Sequence, residues 1–245
     1  MSRFKESFTY FFDDEKWLAK GWLLFLIPLV PVFGVLGIFL LKGWRLSMVD
    51  NLSKGEKTLP KFDPLTWLKN GLILWVALFV YSFVPHIVAS ITGVGGIVDF
   101  FSDIRTLITE GFEPFINDEL QDFFWQMVIF LVWGIISLPI FQAGMIRFTI
   151  NGSWKSLYNI PGNAAVAARH TLAFIKFYGY WLLFILLVIL ADMILAATFI
   201  GALLIPVVTV TFFYIMTASE LGHLAKRVRA SRSQSLNITE SANSH

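Results

Sequence analysis

The chain has 245 residues, 56% of them hydrophobic and 15% charged, with a formal net charge of +2 and no Cys. A soluble domain carries about 25% charged and about 45–50% apolar residues. A chain of this size has no interior large enough for the surplus, so a soluble globular enzyme, a disordered protein and a nucleic-acid binder are excluded and an integral membrane protein remains. Without Cys there are no disulfides, thiolate nucleophiles, Cys-ligated zinc sites or iron–sulfur clusters.

Residues 1–15 mix polar and aromatic side chains and read as a cytoplasmic N-terminal segment. The apolar stretch Gly21–Leu41 follows with no small-residue cleavage site, so the first hydrophobic segment is expected to stay in the mature protein. Four long apolar stretches stand out: Trp17–Leu41, Gly71–Ile91, Phe123–Ile146 and Phe177–Ser219. A bilayer-spanning helix needs about 20 apolar residues.

Charge placement fixes how often they cross. Residues 93–122 hold Asp99, Asp103, Glu110, Glu113, Asp118, Glu119 and Asp122 against Arg105 alone. The other bases fall in four groups: Arg3 to Lys20, Lys42 to Lys69, Arg147 to Lys176, and Lys226 to Arg232. Basic flanks mark the cytoplasmic side. All four groups are therefore expected inside, with 93–122 as an acidic outer loop. The chain must then leave and return between Lys20 and Lys42.

Pro28 and Pro31 break that stretch. It reads as two short helices in a hairpin, with a single kinked crossing as the alternative. Phe177–Ser219 reads as a second hairpin, turning near Gly201. The expectation is an all-α polytopic transmembrane bundle of about six helices: 16–30, 32–50, 64–92, 123–149, 164–198 and 202–226. Together they form one transmembrane domain, 16–228. Both termini are expected in the cytoplasm, and the polar tail 229–245 is expected to be disordered. Trp17, Trp44, Trp67 and Trp154 are expected at inner interfaces and Trp125 at the outer one, whereas Trp75, Trp133 and Trp181 read as packing residues.

Two cytoplasmic connections echo one another. The first reads Arg45…Gly55…Leu59-Pro60…Asp63, the second Arg147…Gly152…Ile160-Pro161…Asn163. Asp63 and Asn163 are expected N-caps, and Pro64 suits a first helical position. The run from Gly55 to Asp63, with Trp17-Leu18-Ala19-Lys20-Gly21, Ile27-Pro28, Trp67 and Gly71, resembles the N-terminal signature of DUF4013. That family comprises prokaryotic multi-pass membrane proteins known only as a domain of unknown function. Pro206…Phe213-Tyr214…Gly222-His223-Leu224 resembles its typical end. The resemblance covers roughly residues 12–228. It implies a multi-pass protein of a prokaryotic cytoplasmic membrane and brings no activity.

Asp192 is the one acid deep in an expected span, and His86 lies at similar depth in another. A charged Asp at a helix centre costs about 2.5–3.5 kcal/mol, so it should be protonated, paired or beside a cavity. An Asp192–His86 pair could relay protons or bind a cation, and a structural hydrogen bond is the alternative. Arg45, Gln142, Arg147, Arg169, Glu220 and His223 are candidates for a cytoplasmic polar layer. Glu220 and His223 are one turn apart, but a di-metal carboxylate centre needs a second such motif. No metal site, cofactor or catalytic residue is expected.

The leading functional expectation is a non-catalytic scaffold or partner-binding membrane subunit. The alternative is a small transporter or channel-like protein for an ion, lipid or apolar solute. The bilayer is the expected partner, with a membrane or extracytoplasmic protein as a further candidate through loop 93–122, and no nucleic acid.

Overall fold

The computed structural model describes residues 9–17, 19–20, 34–56, 58–92, 105, 108–109 and 120–243. Among these residues the chain is helix and turn without strand. Seven helices with full bounds lie among the described residues, in order: α1 Gly34–Lys54, α2 Pro64–Thr92, α3 Leu120–Asn151, α4 Lys155–Tyr158, α5 Ile160–Arg169, α6 Thr171–Ala196 and α7 Phe199–Asn243. Three of them contain stretches long and apolar enough to cross a membrane: Pro64–Thr92, Phe123–Asn151 and Thr171–Ala196. The first arm of the expected N-terminal hairpin and nearly all of loop 93–122 lie outside the described residues.

The chain divides into two compact units, Met1–Trp75 with Gln142–His245, and Val76–Phe141. In the first unit α7 is the spine, packed against both α1 and α6. Arg45 lies beside Tyr214, Leu52 closes on Gly222 and Gly55 faces Lys226, so α1 and α7 run parallel. Trp181 stacks on Phe213 and Thr209 bonds Asp192, so α6 runs antiparallel to α7. α2 runs antiparallel to α1 at very close range. A Cβ on Gly43 would overlap the Trp67 carbonyl, and one on Gly71 would overlap the Phe39 carbonyl one turn away. Small residues are what let two helix backbones approach this closely.

The helix ends explain the echo between the two connections. Gly55 and Gly152 both have positive φ, at 87° and 67°. Glu56 N donates to Asn51 O and Gly55 N to Leu52 O, which is the double bond of a Schellman cap. Gly152 N donates to Phe148 O, the single bond of the simpler left-handed cap. Asp63 caps α2, accepting from Thr66 N at 3.1 Å, and Pro64 opens the helix. The parallel fails at Asn163. The cap there is Asn159, which accepts from Gly162 N at 2.9 Å, because α5 already begins at Ile160 with Pro161 in its first turn.

Other boundaries also differ from the sequence reading. The expected helix 164–198 is broken at His170, whose φ and ψ are −113° and 26°. Thr171 Oγ1 bonds back to Ala168 O at 2.7 Å, a contact that bends helices. α7 continues through Asn243 instead of giving way to a disordered tail at 229. Leu224, Ala225 and Val228 keep one face buried, and Ser231 and Arg232 bond to residues of neighbouring elements. The tryptophan belt is corrected too. Trp44 and Trp67 are buried in a cluster with Tyr10, Phe11, Met48, Leu52 and Ile215, while Trp75 is 43% exposed. Aromatic contacts hold that cluster together, with Phe11 5.7 Å from Trp17 and 6.5 Å from Trp44.

The N-terminal segment is tied down by the same cluster and by two polar anchors. Tyr10 OH donates to Thr58 O at 2.9 Å. Asp14 is buried and accepts from Lys20 Nζ, Lys16 N and Leu59 N at 2.7, 2.9 and 2.8 Å. Burial alone would raise the Asp14 carboxyl, but these three donors outweigh it and hold it below the usual carboxylate range. Burial first, then the nearby Asp14 and Glu56 charges, push the Tyr10 hydroxyl well up.

In the second unit, proline sets the local problem. Pro85 interrupts α2 and cannot donate to the carbonyl of Tyr81, four residues back. Trp133 Nε1 fills the gap, donating to Tyr81 O at 2.8 Å. Tyr81 also packs edge-on to Phe141 at 5.5 Å.

Trp133→Phe keeps an aromatic ring but leaves the Tyr81 carbonyl without a donor. It should cost about 1 kcal/mol and lower Tm in detergent, and an unchanged Tm would show the bond is idle. Asp14 gives a pH signature. Its native value lies below the unfolded one of about 3.9, so its stabilisation is complete above that value and is lost as pH falls through the native value. Asp14→Asn should remove that acid-dependent component from a thermal-melt series below pH 5, with little further change at lower pH.

Candidate functional site

The six expected polar-layer residues have different surroundings. Arg45 of α1 is partly buried beside Tyr178 of α6 and Tyr214 of α7, and its Nε has no hydrogen-bond partner. Gln142 is buried, with Oε1 unpartnered. Glu220 is buried and faces a small hollow shared with Lys176 and Arg227. His223 is half-buried one turn further along α7.

Arg147 and Arg169 are brought into one cavity. It measures about 320 Å³ and is also lined by Asn151, His170, Ser231 and Arg232. Two amides set its geometry. Arg147 Nη1 donates to Asn163 Oδ1 at 2.8 Å, and Asn163, fully buried, donates through Nδ2 to Leu157 O at 3.1 Å. Arg232 Nη1 donates to Asn151 Oδ1. Ser231 Oγ lies 3.4 Å from His170 Nε2, joining the last helix to the foot of α6. The sequence reading missed Asn159, Asn163, Ser231 and Arg232. In the sequence Asn163 reads as a cap, and the last two read as part of a disordered tail. The available signal was the placement of Pro161, which shifts the cap back to Asn159 and frees Asn163 to reach Arg147.

The intramembrane candidates fall in different compact units. Asp192 Oδ2 accepts from Thr209 Oγ1 at 2.6 Å, while Oδ1 is buried without a partner. The His86 ring sits edge-on to Phe130 at 4.7 Å, with Nδ1 buried and unpartnered. No group of three or more His, Cys, Asp and Glu that could hold a metal ion occurs among the described residues.

A wider hollow of about 800 Å³ lies around the connection between α1 and α2. Its charged lining is mixed, with Lys16, Lys20 and Lys61 facing Asp50, Glu56 and Asp63. The balance leaves it without preference for an ion of either sign.

No curated protein and no solved structure matches the chain. One family model does, described as a protein of unknown function, DUF4013, over residues 23–205. That span takes in α1 through α6, both left-handed glycine caps, and the buried Asn163 with its Arg147 partner. The chain therefore belongs to the DUF4013 family.

Proposed function

We propose that the chain is a non-catalytic, partner-binding subunit of a prokaryotic cytoplasmic membrane, crossing it six times with both termini and all four basic groups inside. One observation carries this reading. In the spans Phe123–Asn151 and Thr171–Ala196 only 6% of the most apolar stretch is buried within the chain. Leu182, Leu186, Leu190, Met193 and Ile194 of α6 all stand exposed. Such a surface is covered by lipid tails or by the helices of a partner. The acidic loop 93–122 offers the partner a second contact on the outer face.

Support also comes from what the spans contain. Their paired polar groups are satisfied locally, Trp133 by Tyr81 and Thr209 by Asp192. Serine and threonine hydroxyls bond back to carbonyls of the preceding turn, as Ser82, Ser90 and Thr217 do. A hydrophilic solute would need polar side chains facing a path.

A second reading, a small transporter, is favoured by the orphaned atoms Asp192 Oδ1 and His86 Nδ1. Reconstitution separates the two. Vesicles carrying the purified chain and an internal pH dye should leak protons and monovalent cations no faster than protein-free vesicles, with Asp192→Asn identical to the parent. A flux that the parent supports and Asp192→Asn abolishes would install the transporter reading in its place.

A further inference from the structure

Arg45 carries a charge that the fold around it does not answer. Its Nε is buried without a hydrogen-bond partner, and no described residue joins it in a hydrogen bond or an ion pair. The contact of Leu52 with Gly222 sets the register of α1 against α7. Two helical turns before that contact stand Arg45 on α1 and Ile215 on α7, so Arg45 is level with Ile215 and its neighbour Tyr214. Ring contacts bring α6 to the same level. Tyr178 lies 6.4 Å from Trp181, Trp181 5.8 Å from Phe213, and Phe213 6.5 Å from Tyr214. The Tyr178 hydroxyl is buried and, like Arg45 Nε, has no hydrogen-bond partner. Both phenols act electrostatically on Arg45, and so does the ammonium of Lys42, one turn earlier on α1.

The surroundings are apolar. Leu41, Trp44, Met48, Ile215 and Ala218 are buried together at this level of α1 and α7. A guanidinium stays protonated in a protein, and a charge taken from water into such surroundings is costly unless it is paired. Water would satisfy the two orphaned groups but leave the charge standing, and neutral phenols cannot cancel it either. An anion does both, accepting from Arg45 Nε and from the Tyr178 hydroxyl while neutralising the guanidinium. The nearby ammonium of Lys42 favours an anion further and repels a cation.

Depth narrows the class of anion. Arg45 stands about 13 Å before the end of α1, and Tyr178 about 10 Å into α6 from its basic foot. Both lie beyond the helix ends where a lipid phosphate would sit, so the occupant is a small free ion.

We propose that Arg45 and Tyr178, flanked by Tyr214, form a binding site for one small monovalent anion between α1, α6 and α7. Arg45 supplies the charge and Tyr178 a neutral donor. The same chemistry serves a halide and a small carboxylate, and the test distinguishes them. The site does not rest on the partner-binding reading, because the measurement is anion binding and not complex formation or flux.

The full chain in neutral detergent is exchanged into gluconate buffer and titrated with sodium chloride or sodium formate at constant ionic strength. Binding is read from the rise in Tm and from the broadening of the chloride NMR line. The same titrations are run on Arg45→Gln, on Tyr178→Phe, and on Lys69→Gln, which removes an exposed base of α2. The parent and Lys69→Gln should bind saturably. Tyr178→Phe keeps the ring and should bind several-fold more weakly. Arg45→Gln should bind at least tenfold more weakly, with a Tm that no longer depends on the anion. If formate displaces chloride or raises Tm, the site takes small carboxylates. If chloride alone acts, it takes halides. Should Arg45→Gln fail to fold, Tyr178→Phe carries the test. The proposal is overturned if neither ion binds the parent saturably, or if Tyr178→Phe or a folded Arg45→Gln binds as tightly as Lys69→Gln.

Discussion

A polar group inside an apolar helix has no water to fall back on, and this single constraint shapes the described structure. Pro85 removes the donor for the Tyr81 carbonyl, and the indole of Trp133 replaces it. Thr209 covers one oxygen of Asp192. Thr149 and Thr217 return their hydroxyls to their own helices. Each of these solutions uses a group already close by in the fold.

Charge is displaced to the helix ends as a result, and the ends are then tied together. α7 runs with α1 and against α6, so the basic foot of each meets the same region. Asp14 is buried and reaches in from the N-terminal side. It joins Lys16 and Lys20 to the backbone of Leu59, and so closes the connection between α1 and α2. The tryptophans follow the same logic. Trp44 and Trp67 face the chain, because Phe11 and Trp17 fold back over them. Arg147, Arg169 and Arg232 line one cavity.

Local signals in the sequence translated well into structure. The range 64–92 is that of α2, the Asp63 cap and Pro64 stand as read, and the echoed glycines Gly55 and Gly152 are the two left-handed helix caps. These features depend on a few adjacent residues, which is why they are legible. What was hidden depends on partners far along the chain. Gly43 and Gly71 look like ordinary helix residues until Trp67 and Phe39 press against them. The break at His170 falls inside a stretch with no proline or glycine beside it to announce a stop. Arg232 reads as part of the polar tail, and its bond to Asn151, 81 residues away, goes with its place in the cavity with Arg147 and Arg169. Of the six expected polar-layer residues, Arg147 and Arg169 meet there, while Arg45 and Glu220 face other neighbours.

The proposed partner-binding role requires dry spans, a claim that labelling tests directly. The absence of Cys makes the chain a ready background for site-directed labelling. Single cysteines at Asp192, Thr209 and His86 should resist a membrane-impermeant maleimide applied to both faces of the membrane, while cysteines at Glu110 and Ser233 should each react from one face only. Rapid labelling at position 192 or 209 in the folded protein would reveal a water-filled path and contradict the claim.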